Sequence, residues 1–128
     1  MYLRKIASAR AAGFLSFLFA AGAFAQTNGI LREVFYNISG NAVSDLLNAP
    51  AFPTRPSEEF IANAFEAPSN FADNYGQRMR AFLVPPVTGS YFFWIASDDN
   101  SALYLSADED PAHKVQVAAV TSWTNSRQ

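Results

Sequence analysis

From Arg78 onward the sequence is a series of short apolar runs, each closed by a turn signal. Arg78 to Val84 (RMRAFLV) ends in Pro85-Pro86 and Thr88-Gly89, and Ser90 to Ser97 (SYFFWIAS) ends in Asp98-Asp99-Asn100-Ser101. Ala102 to Ser106 (ALYLS) runs into an acidic stretch with Pro111, and Val115 to Val120 follows. Proline, glycine and the Asx residues interrupt helices and make turns. The β-branched and aromatic residues between them favour strands. The punctuation therefore restricts the chain to an all-β, antiparallel β-sandwich or barrel-like fold. In SYFFWIAS, Tyr91, Phe93 and Ile95 fall on one face and Phe92, Trp94 and Ala96 on the other. With both faces apolar, this strand is expected to be buried between layers, with Tyr91 and Trp94 in the core.

The preceding segments are less regular. Gly29 to Tyr36 (GILREVFY) reads as a strand, and Asn37 to Asn48 as one or two helical turns carrying Val43, Leu46 and Leu47. Pro50, Pro53 and Pro56 make the next stretch a loop. Glu58 to Phe65 is assigned as a further strand.

The N-terminus is of another kind. Arg4, Lys5 and Arg10 precede an uncharged apolar run from Ala11 to Phe24, closed by Ala23-Phe24-Ala25. This is the pattern of a secretory signal peptide over residues 1–25. Its apolar run is shorter than the roughly 20 residues of a membrane-spanning helix. The expected domain is then 26–128, placed outside the cell or in its envelope. Three of the 9 basic residues lie in the leader, so six face the 11 acids, a net charge of −5. Such a surface does not attract a nucleic-acid backbone.

Chemistry is limited by what is absent. There is no cysteine, hence no disulfide framework, thiolate nucleophile or zinc ribbon, and His113 is the single histidine. No G-x-S-x-G occurs, and a serine triad would have to use His113 without a supporting motif. The chain is not expected to be an enzyme. Asp98-Asp99-Asn100 is the sharpest polar feature, three oxygen-bearing side chains at the tip of a turn between two apolar strands. Two adjacent carboxylates suit a hard cation such as Ca²⁺, which takes six to eight oxygens; the same residues also make ordinary Asx turns. Asp108-Glu109-Asp110 lacks the alternating ligands of an EF-hand loop and reads as a solvated acidic loop. Trp123, close to the chain end, is free to stack on a sugar ring.

The order of these segments resembles the PA14 domain. The likeness rests on Gly29-Ile30-Leu31-Arg32-Glu33, Phe65-Glu66-Ala67-Pro68 and Asn74-Tyr75-Gly76-Gln77-Arg78. It continues through Pro85 to Trp94 (PPVTGSYFFW) and Ile95 to Ser106 (IASDDNSALYLS). The resemblance implies a barrel-like β-sandwich. It also implies that Asp98 and Asp99 are joined by a cis peptide and ligate Ca²⁺, which in turn binds sugar hydroxyls, with Asn100 as a nearby ligand contact. The family pattern goes on beyond Trp123 to Arg127 with further strands, so the sandwich is expected to lack its C-terminal strands. The implied function is a secreted, non-catalytic carbohydrate-binding module whose partner is a glycan or cell-surface polysaccharide. The alternatives are a structural or protein-interaction module of an envelope protein and an accessory module of a glycosidase.

Overall fold

The computed structural model describes residues 2–3 and 29–125. Among the described residues the protein is mostly strand, and its two main sheets are antiparallel, as the turn signals lead one to expect. In chain order the elements are β1 (Tyr2–Leu3), β2 (Ile30–Tyr36), α1 (Val43–Leu47), β3 (Glu58–Ala62), β4 (Tyr75–Arg80), β5 (Phe82–Leu83), β6 (Ser101–Leu105) and β7 (Val115–Val120). A 3₁₀ turn, Pro111–His113, precedes β7. The signal peptide assigned to residues 1–25 lies outside the described residues except for β1, which pairs in parallel with β5. No helix among the described residues is long and apolar enough to cross a membrane.

The first sheet has the order β3-β2-β4, with β2 antiparallel to both neighbours. A central strand must cover two faces, and here loops do so. On one face Phe35 is fully buried, its ring 5.3 Å from that of Phe52 in the proline-rich loop. The Arg78 guanidinium sits over the same Phe52 ring and donates to the Pro53 carbonyl. On the other face Arg32 is inserted between the rings of Phe60 and Phe71, at 5.3 and 4.1 Å. Arg32 Nε donates to Gln77 Oε1, whereas its buried Nη2 has no hydrogen-bond partner among the described residues. The aromatic faces supply the attraction that a carboxylate would otherwise provide.

Glu33 lies on the Phe35 face, opposite Arg78 in the register, and is 2% exposed. Arg78 grips its carboxylate through Nε and Nη2 at 2.7 and 2.8 Å, and Arg80 does so at 3.0 and 3.1 Å. Burial pushes the Glu33 carboxyl up, but the hydrogen bonds and charges of the two arginines outweigh it and hold the group below its ordinary value.

Glycine sets the distance between α1 and the sheet. A Cβ on Gly76 would stand 2.9 Å from Leu46 Cδ1 and 3.1 Å from Leu46 Cβ. The Gly76→Ala variant should therefore push α1 off β4 and lose about 1 kcal/mol, the overpacking cost outweighing the entropy gained in the unfolded chain. Thermal unfolding checks this. A melting temperature at or above that of the wild type would contradict the close approach.

The second sheet is the β6-β7 hairpin, with a register shift between Leu103 and Tyr104. Here the structure departs from the sequence reading. Ser90 to Ser97 belongs to no sheet among the described residues, and part of it is bare: Phe92 is 80% and Trp94 84% exposed. Tyr91 is exposed as well. The expected alternation survives, since Phe93 and Ile95 are half-buried while Phe92 and Trp94 are not. The expected burial of both faces does not, because no described layer covers the second face.

Candidate functional site

Asp98-Asp99-Asn100 was expected to turn the chain from one strand back along the next. The hydrogen bonds give another geometry. Ser101 pairs with Val120, while Thr124 donates its backbone N–H to the Ser97 carbonyl at 2.9 Å. Each partner has moved by four residues, so the antiparallel register runs straight through. The Asp-Asp-Asn segment is a bend within one long ribbon, facing Thr121 to Trp123 on the opposite strand. It is not a hairpin tip.

Local chemistry shapes the bend. The peptides among the described residues are trans apart from Phe52–Pro53, so the cis bond implied between Asp98 and Asp99 is not formed. Asp99 instead adopts the left-handed conformation, φ 57°, which Asp and Asn tolerate better than most residues. The Ser97 hydroxyl donates to the Asp99 carbonyl at 2.6 Å and shares a 2.7 Å hydrogen bond with the Ser101 hydroxyl. The Ser97 N–H is taken by Thr124 Oγ1 at 2.9 Å. With the backbone satisfied locally, the carboxylates of Asp98 and Asp99 are left exposed.

Asn100 ties this bend to the first sheet, its N–H donating to the Asn41 carbonyl at 3.1 Å. An open cleft of about 360 Å³ lies beside it, between α1 and the β6-β7 hairpin, lined by Val43, Ser44, Leu47, Asn100, Tyr104 and Gln116 among others. Trp123, 59% exposed, immediately precedes Thr124 and so stands across the ribbon from Asp98. Asn100 lines this cleft, whereas Asp98, Asp99 and Trp123 are not among its lining residues; the register sets Trp123 across the ribbon from the acidic bend. Sequence reading picked out all four separately; only the through-running register shows that Trp123 belongs with the acidic bend.

The donor set suits a cation in part. Neither carboxylate forms an ion pair with a described residue, and two adjacent uncompensated carboxylates attract a hard dication. No group of three or more His, Asp or Glu side chains able to hold a metal occurs among the described residues. Asp98 and Asp99 therefore do not complete a shell of six to eight oxygens by themselves.

The second acidic cluster is exposed to solvent, as expected of a solvated acidic loop, and is also fastened by its own hydrogen bonds. Buried Ser106 donates its hydroxyl to the Asp110 carbonyl, and Asp108 accepts from the Asp110 N–H and meets His113 Nδ1 at 2.7 Å. The hydrogen bond from His113 holds the Asp108 carboxyl below its ordinary value, and the same bond raises the His113 imidazole. Ser106 approaches Asp108 but not His113, which is not the order of a nucleophile, base and orienting acid.

Comparison with known proteins gives partial likenesses. Over 100 residues, 75% of the chain, the sequence is 38% identical to fibrocystin of Canis lupus familiaris. Over 66 residues, 48% of the chain, it is 39% identical to fibrocystin of Mus musculus. Over 96 residues, 72% of the chain, it is 36% identical to the N-acetyl-beta-glucosaminyl-glycoprotein 4-beta-N-acetylgalactosaminyltransferase 1 of Mus musculus. The chain spans 2% of the length of each fibrocystin and 9% of the transferase, a small segment of each. No family model matches the chain. No solved structure matches it either.

Proposed function

We propose that the protein is a secreted, non-catalytic carbohydrate-binding module of PA14 type, binding its glycan at the Asp98-Asp99-Asn100 bend. The observation that carries this reading is the grouping, along one stretch of the ribbon, of an acidic pair that forms no ion pair with a described residue, an amide and an exposed tryptophan. Sugars are recognised by that combination: oxygen and amide groups engage vicinal hydroxyls, and an aromatic face stacks on the C–H face of a pyranose. Asp98 and Asp99 would hold Ca²⁺ from one side, leaving coordination positions open. The cation would supply Lewis-acid attraction for two hydroxyls when bound. Asn100, fixed by its bond to Asn41, orients a hydroxyl at the cleft, and Trp123 offers the stacking face.

The likeness to the transferase supports a glycan ligand, because the name of that protein specifies an N-acetyl-β-glucosaminyl acceptor. The matched share is small, as an accessory module would be. Glycans ending in β-linked N-acetylglucosamine are therefore the first to try.

The test is isothermal calorimetry with Ca²⁺ and a panel of such glycans. The Asp98→Asn, Asp99→Asn double variant should bind Ca²⁺ at least about tenfold more weakly, since carboxylate charge sets affinity at such sites. Trp123→Ala should weaken glycan binding while leaving Ca²⁺ binding unchanged. Glycan binding that is equally strong in the double variant and in the presence of chelator would overturn the assigned site.

A further inference from the structure

Asn37-Ile38-Ser39 has the form N-x-[ST] without proline in the middle, the one such match in the sequence. It lies where β2 ends and the chain turns toward α1. Asn37 is left-handed, φ 61°, a conformation that asparagine tolerates better than most residues. Asn37, Ser39, Gly40 and Asn41 are all exposed. Neither the Asn37 amide nor the Ser39 hydroxyl is hydrogen-bonded to a described residue. Ile38 between them is the opposite: it is 8% exposed, and its N–H donates to the Asn74 carbonyl at 2.9 Å.

We propose that Asn37 is an N-glycosylation site, filled during export and before β4 closes on β2. The leader expected over residues 1–25 would carry the chain past a membrane-bound oligosaccharide transferase. The donor is a lipid-linked oligosaccharide diphosphate. The bond from its anomeric carbon to the diphosphate oxygen breaks, the electron pair leaving with the diphosphate. Asn37 Nδ2 forms the new bond to that carbon and loses one proton. The exposed loop leaves room for the bulky product on the folded surface. Timing follows from Ile38. A transferase must take hold of all three residues of the motif, and the arrival of Asn74, just before β4, fixes the backbone of the middle one. Asn74 emerges later in synthesis, so the motif is open until then. No residue assigned to the glycan-binding site takes part, and this oligosaccharide is covalently attached, so the two readings stand or fall separately.

Translation of the full chain, with its own leader, in the presence of endoplasmic-reticulum microsomes tests the proposal. A single upward step in mass is expected, retained on boiling in SDS, as a merely bound glycan would not be, and reversed by peptide-N-glycosidase. Asn37→Gln and Ser39→Ala should each abolish the step, and Ser39→Thr should keep it. The folded, unmodified chain offered to the same transferase with its lipid-linked donor should stay unmodified, whereas the Phe35→Ala chain, destabilised by loss of a fully buried ring, should accept the oligosaccharide. A chain that the microsomes do not take up, or take up and leave unmodified, overturns the inference. So does a step that survives Asn37→Gln. Equal modification of the folded wild type and the Phe35→Ala chain overturns the timing.

Discussion

Replacing Glu33 by glutamine is expected to lower stability by about 3 kcal/mol, near the bottom of the range for breaking a buried ion pair. The bottom of the range applies because the side chains of Arg78 and Arg80 are 27% and 44% exposed and can recover water. For a domain of this size the melting temperature should fall by roughly 10–20 °C. The loss should depend on pH, with a definite sign. The folded Glu33 carboxyl titrates below its ordinary value, so its contribution is fully present above the pH at which an unfolded glutamate ionises. It disappears as the pH falls through the folded value. Melting curves of wild type and Glu33→Gln should therefore be far apart at neutral pH and converge in acid. A gap that stays constant down to acid pH would show that the two-arginine grip is not what holds β2 against β4.

Phe35→Ala should do more. Among the described residues the buried hydrophobic side chains are few, Val34 and Phe35 at 0% exposure and Ile38 at 8%, so little else there can compensate. Truncating a buried phenylalanine costs about 3–5 kcal/mol. Against a typical total of about 5–15 kcal/mol, that is enough to leave a substantial unfolded fraction at room temperature. The ring also supports Phe52, so its loss should release the proline-rich loop and with it the hydrogen bond from Arg78 to Pro53. Urea denaturation followed by circular dichroism measures the effect. Phe35→Leu, which keeps most of the volume, should fall between wild type and alanine. An alanine variant that unfolds at the wild-type urea concentration would contradict this account of the core.

How far the sequence foretold this depends on the range of the interactions. The strands at Ile30–Tyr36, Ser101–Leu105 and Val115–Val120 follow from residue type and turn signals, which are local, and so does the short helix from Val43 to Leu47. The buried charge of Glu33 does not, because its partners lie 45 and 47 residues away and only the register of β2 against β4 brings them together. The polar bend was visible from its side-chain chemistry. Its geometry was not, since an Asp-Asp-Asn sequence between apolar runs describes a hairpin tip and an in-line bend equally well. The left-handed Asp99 and the Ser97–Thr124 bonds decide between them. Trp94 was misplaced for a related reason: a strand apolar on both faces announces a need for cover, not its presence.

The unequal reach of the two sheets also sets an order of assembly. The β6-β7 hairpin closes through a turn that the Asp108, Asp110 and His113 bonds fasten locally, and such hairpins form in about 1–10 μs. The β2-β4 ladder must first gather residues 39 to 49 positions apart, with the helix, the proline-rich loop and β3 between them in sequence. That entropy is lost before any contact returns it. The chain should therefore carry a formed hairpin, with its acidic bend already shaped on one strand, while the sheet that holds Asn41 in place is still being found.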